Sequence, residues 1–247
     1  LLPALVALLD DSEPKVRVDA AFALRQTPGA DSQALLDHLR SENELHAASR
    51  AGNDQLQARI EQFELAYRMQ STAPEAVDLA SEDEGTRDLY GLNDEKTRRF
   101  GSKCLLARRL VERGTRFVQV MHAGWDQHRN LNTQLEIQCT DTDAPSAALV
   151  EDLAQRGLLE DTLVVWGGEF GRTPFCQGIL GAPNQGRDHH PYGFTVWMAG
   201  GGIKPGTTWG ATDEFGFSAT EDRVSVHDLQ ATILHLLGID HERLTYR

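Results

Sequence analysis

Three short stretches of this chain carry side chains of the types that bind metals or move protons. Asp126 and His128 sit in HAGWDQH at 122–128, Glu169 and Arg172 close the run TLVVWGGEFGRT at 162–173, and Asp188, His189 and His190 stand together in GRDHHP at 186–191. Imidazole and carboxylate donors together suit zinc, manganese or iron, and a set of hard oxygens suits calcium or magnesium. Arg172 offers a planar fork that pairs with an anionic substrate or with the nearby Glu169.

None of these spacings is a metal motif on its own. Asp126 and His128 lie two apart, not at the i, i+4 separation of a helical ligand pair, and alone they read as a loop Asx-turn and a surface imidazole. Glu169 and Arg172 read equally as an ion pair that ties down a loop. Asp188 is either a loop cap or a carboxylate that orients an imidazole. Taken together they make a candidate site. Asp126, His128, Glu169 and His189 are its divalent-metal ligands, Arg172 is its catalytic cation, and Asp188 and His190 are alternates.

The elements that must position these residues follow from hydrophobic periodicity. TLVVW reads as a buried strand, and Glu169 lies beyond its C-terminal end, where open α/β sheets place their ligand crevice. RFVQVMH at 116–122 and FTVWMA at 194–199 read as further strands. Helices are expected over about 94–112, ending at Gly114, over about 133–156, and in DLQATILHLLG near the end. GGG at 200–202 lacks the spacing of a phosphate-binding loop and reads as a turn. Helix and strand in this alternation predict an α/β fold, a mainly parallel sheet covered by helices.

The first third reads differently. Residues 1–30 form an apolar helix, a D-D-S-E-P break and a second amphipathic helix, resembling one HEAT-type repeat, a unit that buries its faces against neighbours. Residues 31–247 form the second domain, opening with helical spacing through 70 as a helical N-terminal extension of the sheet. The acidic stretch at 71–93 reads as short turns with a solvated face. The chain begins with Leu1, not Met, so it is expected to be a piece of a longer protein.

With 247 residues, 40% of them hydrophobic, the chain can bury one substantial core. A formal charge of −13 and the lack of a basic run exclude an extended nucleic-acid surface. No apolar run approaches the roughly 20 residues of a membrane helix. Cys104, Cys139 and Cys176 show no C-x-x-C pair, so neither a zinc knuckle nor a disulfide framework is expected.

The stretches GLLEDTLVVWGGEFGRTP, GRDHHPYGFTVWMAGGGIKPG and VHDLQATILHLLGIDHERLTYR resemble the C-terminal half of the bacterial family called domain of unknown function 1501 (DUF1501), a sulfatase-like branch of the alkaline phosphatase superfamily. The resemblance runs from about Gln55 to Arg247. It implies an incomplete alkaline phosphatase-like domain, a divalent metal (zinc, manganese or calcium), small anionic ester substrates and an exported or periplasmic address.

Where the superfamily has a metal-binding Asp followed by His or Asn, this chain carries Glu169 and Phe170. Asp126 and His128 echo the D-x-x-x-H ligand pair with altered spacing. His189 or His190 stands for the late metal-binding His, and His189 follows G-R-D directly. The resemblance places the first metal-binding Asp and the nucleophile in an N-terminal strand region, which here reads as helices. Two functions are therefore expected: a metal-dependent hydrolase of sulfate or phosphate esters, inactive as a fragment, or a binding or structural protein that keeps the fold without turnover.

Overall fold

Phe100, Gly101, Cys104, Leu105 and Arg108 recur on one face of a helix and are buried there, which is the stripe that docks a helix onto its neighbour. The computed structural model describes residues 74–245, together with Ser41, Ala58 and Gln62. The chain divides into two compact units, Leu1–Val77 and Asp78–Arg247. In the first unit residues 74–77 are helical. The repeat-like segment 1–30 and the helices expected over 31–70 lie outside the described residues, those three positions apart.

The second unit opens with a 3-10 turn, Leu79–Ser81, and a short helix α1, Glu84–Leu89. Asp78 and Asp83 cap them, each accepting a backbone N–H with its carboxylate. Helix α2, Arg98–Glu112, ends in a Schellman motif: Gly114 at φ +85° donates to the Val111 carbonyl and Thr115 to that of Leu110. Helix α3, Leu131–Gln155, packs along α2. Its buried residues are mostly polar or small, Gln138, Thr142, Pro145, Ala148 and Asp152, with Leu153 beside them. Tyr90, Phe100, Cys104, Leu105 and Ala148 form the core between these elements. Helix α4, Val226–Leu236, starts with a capping box in which Ser225 and Asp228 satisfy each other's backbone N–H.

One charge sits inside this core. Arg108 has 1% of its side chain exposed and reaches Glu82 at 2.7 Å, Glu112 at 2.6 Å and Asp152 at 2.9 Å. Tyr90, fully buried, donates its hydroxyl to Asp152 at 3.0 Å. Burial pushes the Glu82 carboxyl up, but hydrogen bonds from Arg108 and Arg109 outweigh it, so it lies below the ordinary range. Glu82 belongs to the acidic stretch expected to be a solvated face. Its side chain is 9% exposed and instead neutralises two buried arginines.

The expected parallel sheet is not what forms. Strands β1, Val164–Trp166, and β4, Trp197–Ala199, pair antiparallel with each other, as do β2, Gly171–Arg172, with β3, His189–His190, and β5, Ala211–Thr212, with β6, Ala219–Glu221. Each pair is a separate two-stranded sheet, and among the described residues no pair is parallel. Period-2 hydrophobicity identifies a strand but not its direction or its neighbour, and here TLVVW and FTVWMA find each other.

The expected strand at 116–122 forms no ladder with a partner. Val118, Val120 and His122 are partly covered and Phe117 and Met121 exposed, so the alternation is present while the partner strand is not. With one neighbour each, the strands are largely uncovered, His190 of β3 excepted; Val165 is 44% exposed. No helix among the described residues is long and apolar enough to cross a membrane.

Candidate metal centre

Antiparallel pairing of β2 with β3 sets Arg172 directly opposite His189 and Gly171 opposite His190. Cross-strand partners share a face and successive residues alternate between faces. Arg172 and His189 therefore point together to one side, and His190 to the other. The buried His190 ring hydrogen-bonds through Nε2 to the Phe217 carbonyl and packs on Tyr192 and Phe217. Its neighbour across the ladder is glycine for a steric reason: a Cβ at Gly171 would overlap the Gly193 carbonyl.

Asp126 and His128 arrive on a different loop, which backbone hydrogen bonds join to 184–187. Arg187 N–H donates to the Gln127 carbonyl, and Asn130 and Leu131, where α3 begins, donate to the carbonyls of Asn184 and Gln185. Gly186 lies so close to His128 that a Cβ there would overlap the His128 carbonyl. Gly124, just ahead of the loop, has φ +106° and faces Gln138 of α3. Thr173 extends the β2–β3 pair by one step, donating its N–H to the Asp188 carbonyl at 2.9 Å and accepting the Asp188 N–H on its hydroxyl at 3.1 Å.

The outcome is a triangle of donor atoms. Asp126 Oδ1 lies 2.9 Å from His189 Nε2 and 3.0 Å from His128 Nε2, and the two imidazole nitrogens are 3.0 Å apart. Arg172 Nη1 donates to the same Asp126 oxygen at 2.6 Å. Hydrogen bonds from Arg172 and then His189 hold the Asp126 carboxyl down at about 2, so it is ionised near neutrality. Phe170 walls the site, its ring 4.6 Å from that of His189 and 5.7 Å from the Arg172 guanidinium carbon.

Asp126, His128 and His189 are thus brought together with Arg172 beside them, and the other nominated residues lie outside the triangle. Glu169 Oε1 is 3.8 Å from Arg172 Nη2, so the guanidinium spans the two carboxylates. Asp188 Oδ1 accepts the His189 backbone N–H at 2.8 Å and lies 3.7 Å from His128 Nδ1. Gln177, which sequence reasoning missed, has its Oε1 2.7 Å from His128 Nδ1. A glutamine in a Gly- and Pro-rich loop carries no spacing signal. Its backbone is held by reciprocal hydrogen bonds with Gly186, a pairing visible only in three dimensions. Cys104, Cys139 and Cys176 are free thiols, and burial raises that of Cys104 to about 12.

The donor set fits a small divalent cation. Two imidazoles and one carboxylate form the facial set of six-coordinate first-row metals, with the remaining positions open. Adjacent ligands on such an ion, with bonds of about 2.1 Å, lie about 3.0 Å apart, against roughly 3.4 Å around a tetrahedral ion. The triangle's edges of 2.9, 3.0 and 3.0 Å are ordinary hydrogen-bond lengths and lie close to both figures.

No curated protein and no solved structure matches the chain. A family model described as a protein of unknown function, DUF1501, matches residues 2–247, a span that also takes in the repeat-like opening segment. The chain therefore belongs to the DUF1501 family.

Proposed function

We propose that Asp126, His128 and His189 hold one divalent cation, and that the domain hydrolyses small sulfate or phosphate esters there. The observation that carries this reading is the convergence of a carboxylate and two imidazoles, from two loops, on one triangle of donor atoms. Two imidazoles with one carboxylate suit manganese, iron or zinc, and two nitrogen donors disfavour calcium. A cation held by these three residues would polarise an ester oxygen and lower the pKa of a water.

The remaining chemistry belongs to the chain's own residues. Asp126 is ionised near neutrality and supplies negative charge to the cation. Arg172, held by Asp126 and by its cross-strand position opposite His189, presents a fixed guanidinium to the oxygens of an anionic ester. A positive group fixed before the reaction stabilises developing negative charge without reorganising. Phe170 shields one side of the His189 ring from water.

Hydrolysis of 4-nitrophenyl phosphate and 4-nitrophenyl sulfate by the longer protein of which this chain is expected to be a piece, with and without added Mn²⁺, tests the proposal. Turnover that depends on metal and is lost in Asp126→Asn is expected. Metal-independent turnover, unchanged in that variant, rules it out. A second reading, of a binding protein without turnover, is favoured by one contact. Arg172 already neutralises Asp126 at 2.6 Å, so the cluster can persist as a closed ionic network. It predicts binding of Mn²⁺ or sulfate with no release of nitrophenol from either ester.

A further inference from the structure

We infer that the tip of the β2–β3 hairpin, with Ile179 and Leu180 at its apex, is a membrane contact that enters the interface of a phospholipid bilayer. The inference stands apart from the metal reading, since it uses no residue of the donor triangle.

The hairpin that carries Arg172 and His189 at its base runs on well beyond them. Thr173 N–H reaches the Asp188 carbonyl, and Gln177 and Gly186 exchange backbone hydrogen bonds at 2.8 and 3.0 Å. Past that rung the tip closes on itself. Ala182 N–H donates to the Ile179 carbonyl at 3.0 Å, and Gly181 N–H to Gln185 Oε1 at 2.8 Å. Gly178 and Gly181, at φ +95° and +81°, make the bends on either side of the apex. Asn184 and Gln185 are tied by their carbonyls to Asn130 and Leu131, where α3 begins. The tip is therefore braced before it meets a partner, which limits the ordering cost of contact.

Two aliphatic side chains project from this frame. Ile179 is 78% exposed and Leu180 83%, and Phe175 on the same loop is exposed as well. One exposed leucine is ordinary, whereas adjacent aliphatic residues at the apex of a braced loop form an uncovered patch. Charge decides what kind of partner fits it. From Thr173 to Gly186 the chain carries no Asp, Glu, Lys, Arg or His, so the tip enters an apolar phase without desolvating a charge. Arginines stand at its neck. Arg187 follows the loop, and its N–H bond to the Gln127 carbonyl brings the segment bearing Arg129 alongside. Both side chains are exposed, and neither is ion-paired among the described residues. The neck also holds Asp188, whose carboxylate is engaged by the His189 N–H at 2.8 Å. An apolar apex below a collar of unpaired cations matches hydrocarbon beneath a layer of phosphates, in a chain whose net charge is −13.

Flotation of the full chain with unilamellar vesicles, of phosphatidylcholine alone or with added phosphatidylglycerol, tests this. Wild type is expected to float with both. Ile179→Ser/Leu180→Ser should lower the partition roughly tenfold or more on either vesicle, given the apolar area removed, with circular dichroism unchanged because both positions are exposed. Arg129→Gln/Arg187→Gln should lower it about fivefold or more on vesicles that contain phosphatidylglycerol. Leu180→Trp should be quenched by brominated phosphatidylcholine beyond the quenching of the four native tryptophans.

Wild type that fails to float overturns the inference. Flotation unchanged in the tip variant also overturns it, by assigning the membrane contact to another apolar face, such as that of Trp166 and Trp197. Self-association of wild type without flotation, abolished in the tip variant, overturns it in favour of a second copy of this chain.

Discussion

Replacing Arg108 by methionine removes a buried charge while keeping most of the side chain's volume. Arg108 is 1% exposed and contacts Glu82, Glu112 and Asp152. Deleting one partner of a buried ion pair costs about 3–5 kcal/mol, because the other charge is left without compensation. Here the loss falls toward the lower end of that range. Glu82 keeps Arg109, and Asp152 keeps Arg156 at 2.7 Å and the Tyr90 hydroxyl at 3.0 Å. Glu112, 37% exposed, can turn to water.

We expect Arg108→Met to destabilise the second unit by about 3 kcal/mol. All four tryptophans, Trp125, Trp166, Trp197 and Trp209, lie in that unit, so fluorescence-detected urea unfolding reads it selectively. The double variant with Asp152→Asn should lose less than the sum of the single losses by more than about 1 kcal/mol, the mark of direct coupling. A loss below about 1 kcal/mol for Arg108→Met, with additive energies, would refute the account of this core.

Further outcomes follow from the same contacts. Glu82 and Asp213 have folded pKa values below their ordinary ones, Glu82 because its arginines outweigh burial and Asp213 chiefly through the backbone N–H of Phe217. Their contribution is present above the unfolded values and is lost as pH falls through the folded ones. Urea midpoints should therefore hold above about pH 5 and drop below about pH 4, with the gap between wild type and Arg108→Met narrowing there. Ser225→Ala removes the cap of α4 and should cost about 1 kcal/mol in the same unfolding assay. Glu169→Gln should change Mn²⁺ affinity in calorimetry by less than about threefold, since Glu169 meets Arg172 and not the donor triangle. Gly186→Ala should weaken Mn²⁺ binding about tenfold or more, with its circular dichroism unchanged, because the new Cβ displaces His128.

Much of this molecule is legible along the chain where local chemistry decides. Helix α2 and its end at Gly114, and the strands within TLVVW and FTVWMA, lie within the segments that periodicity and capping residues mark, and α3 begins two residues before its expected start. The sheet is not legible, because strand direction depends on which neighbours arrive, and β1 meets β4 antiparallel. Similarly, residue types nominate both His189 and His190, the resemblance puts His189 first because it follows G-R-D, and the β2–β3 register separates the two by placing Arg172 opposite His189. Glu169 is the plainest acid in the sequence, yet it stands beyond Arg172. Asp126, weak by its spacing, is the carboxylate that meets both imidazoles. Gln177 and the buried role of Glu82 depend on contacts 49 and 26 to 27 residues distant in sequence, to His128 and to Arg108 and Arg109, which no local pattern encodes.

Calorimetric titration of the full chain with Mn²⁺, run beside Asp126→Asn, His128→Ala and His189→Ala, bears most directly on the claim that these three side chains form a cation site. One ion bound per chain, with binding lost in each of the three variants, is the predicted result. No binding to the wild-type chain, or equal binding in all four proteins, would contradict it.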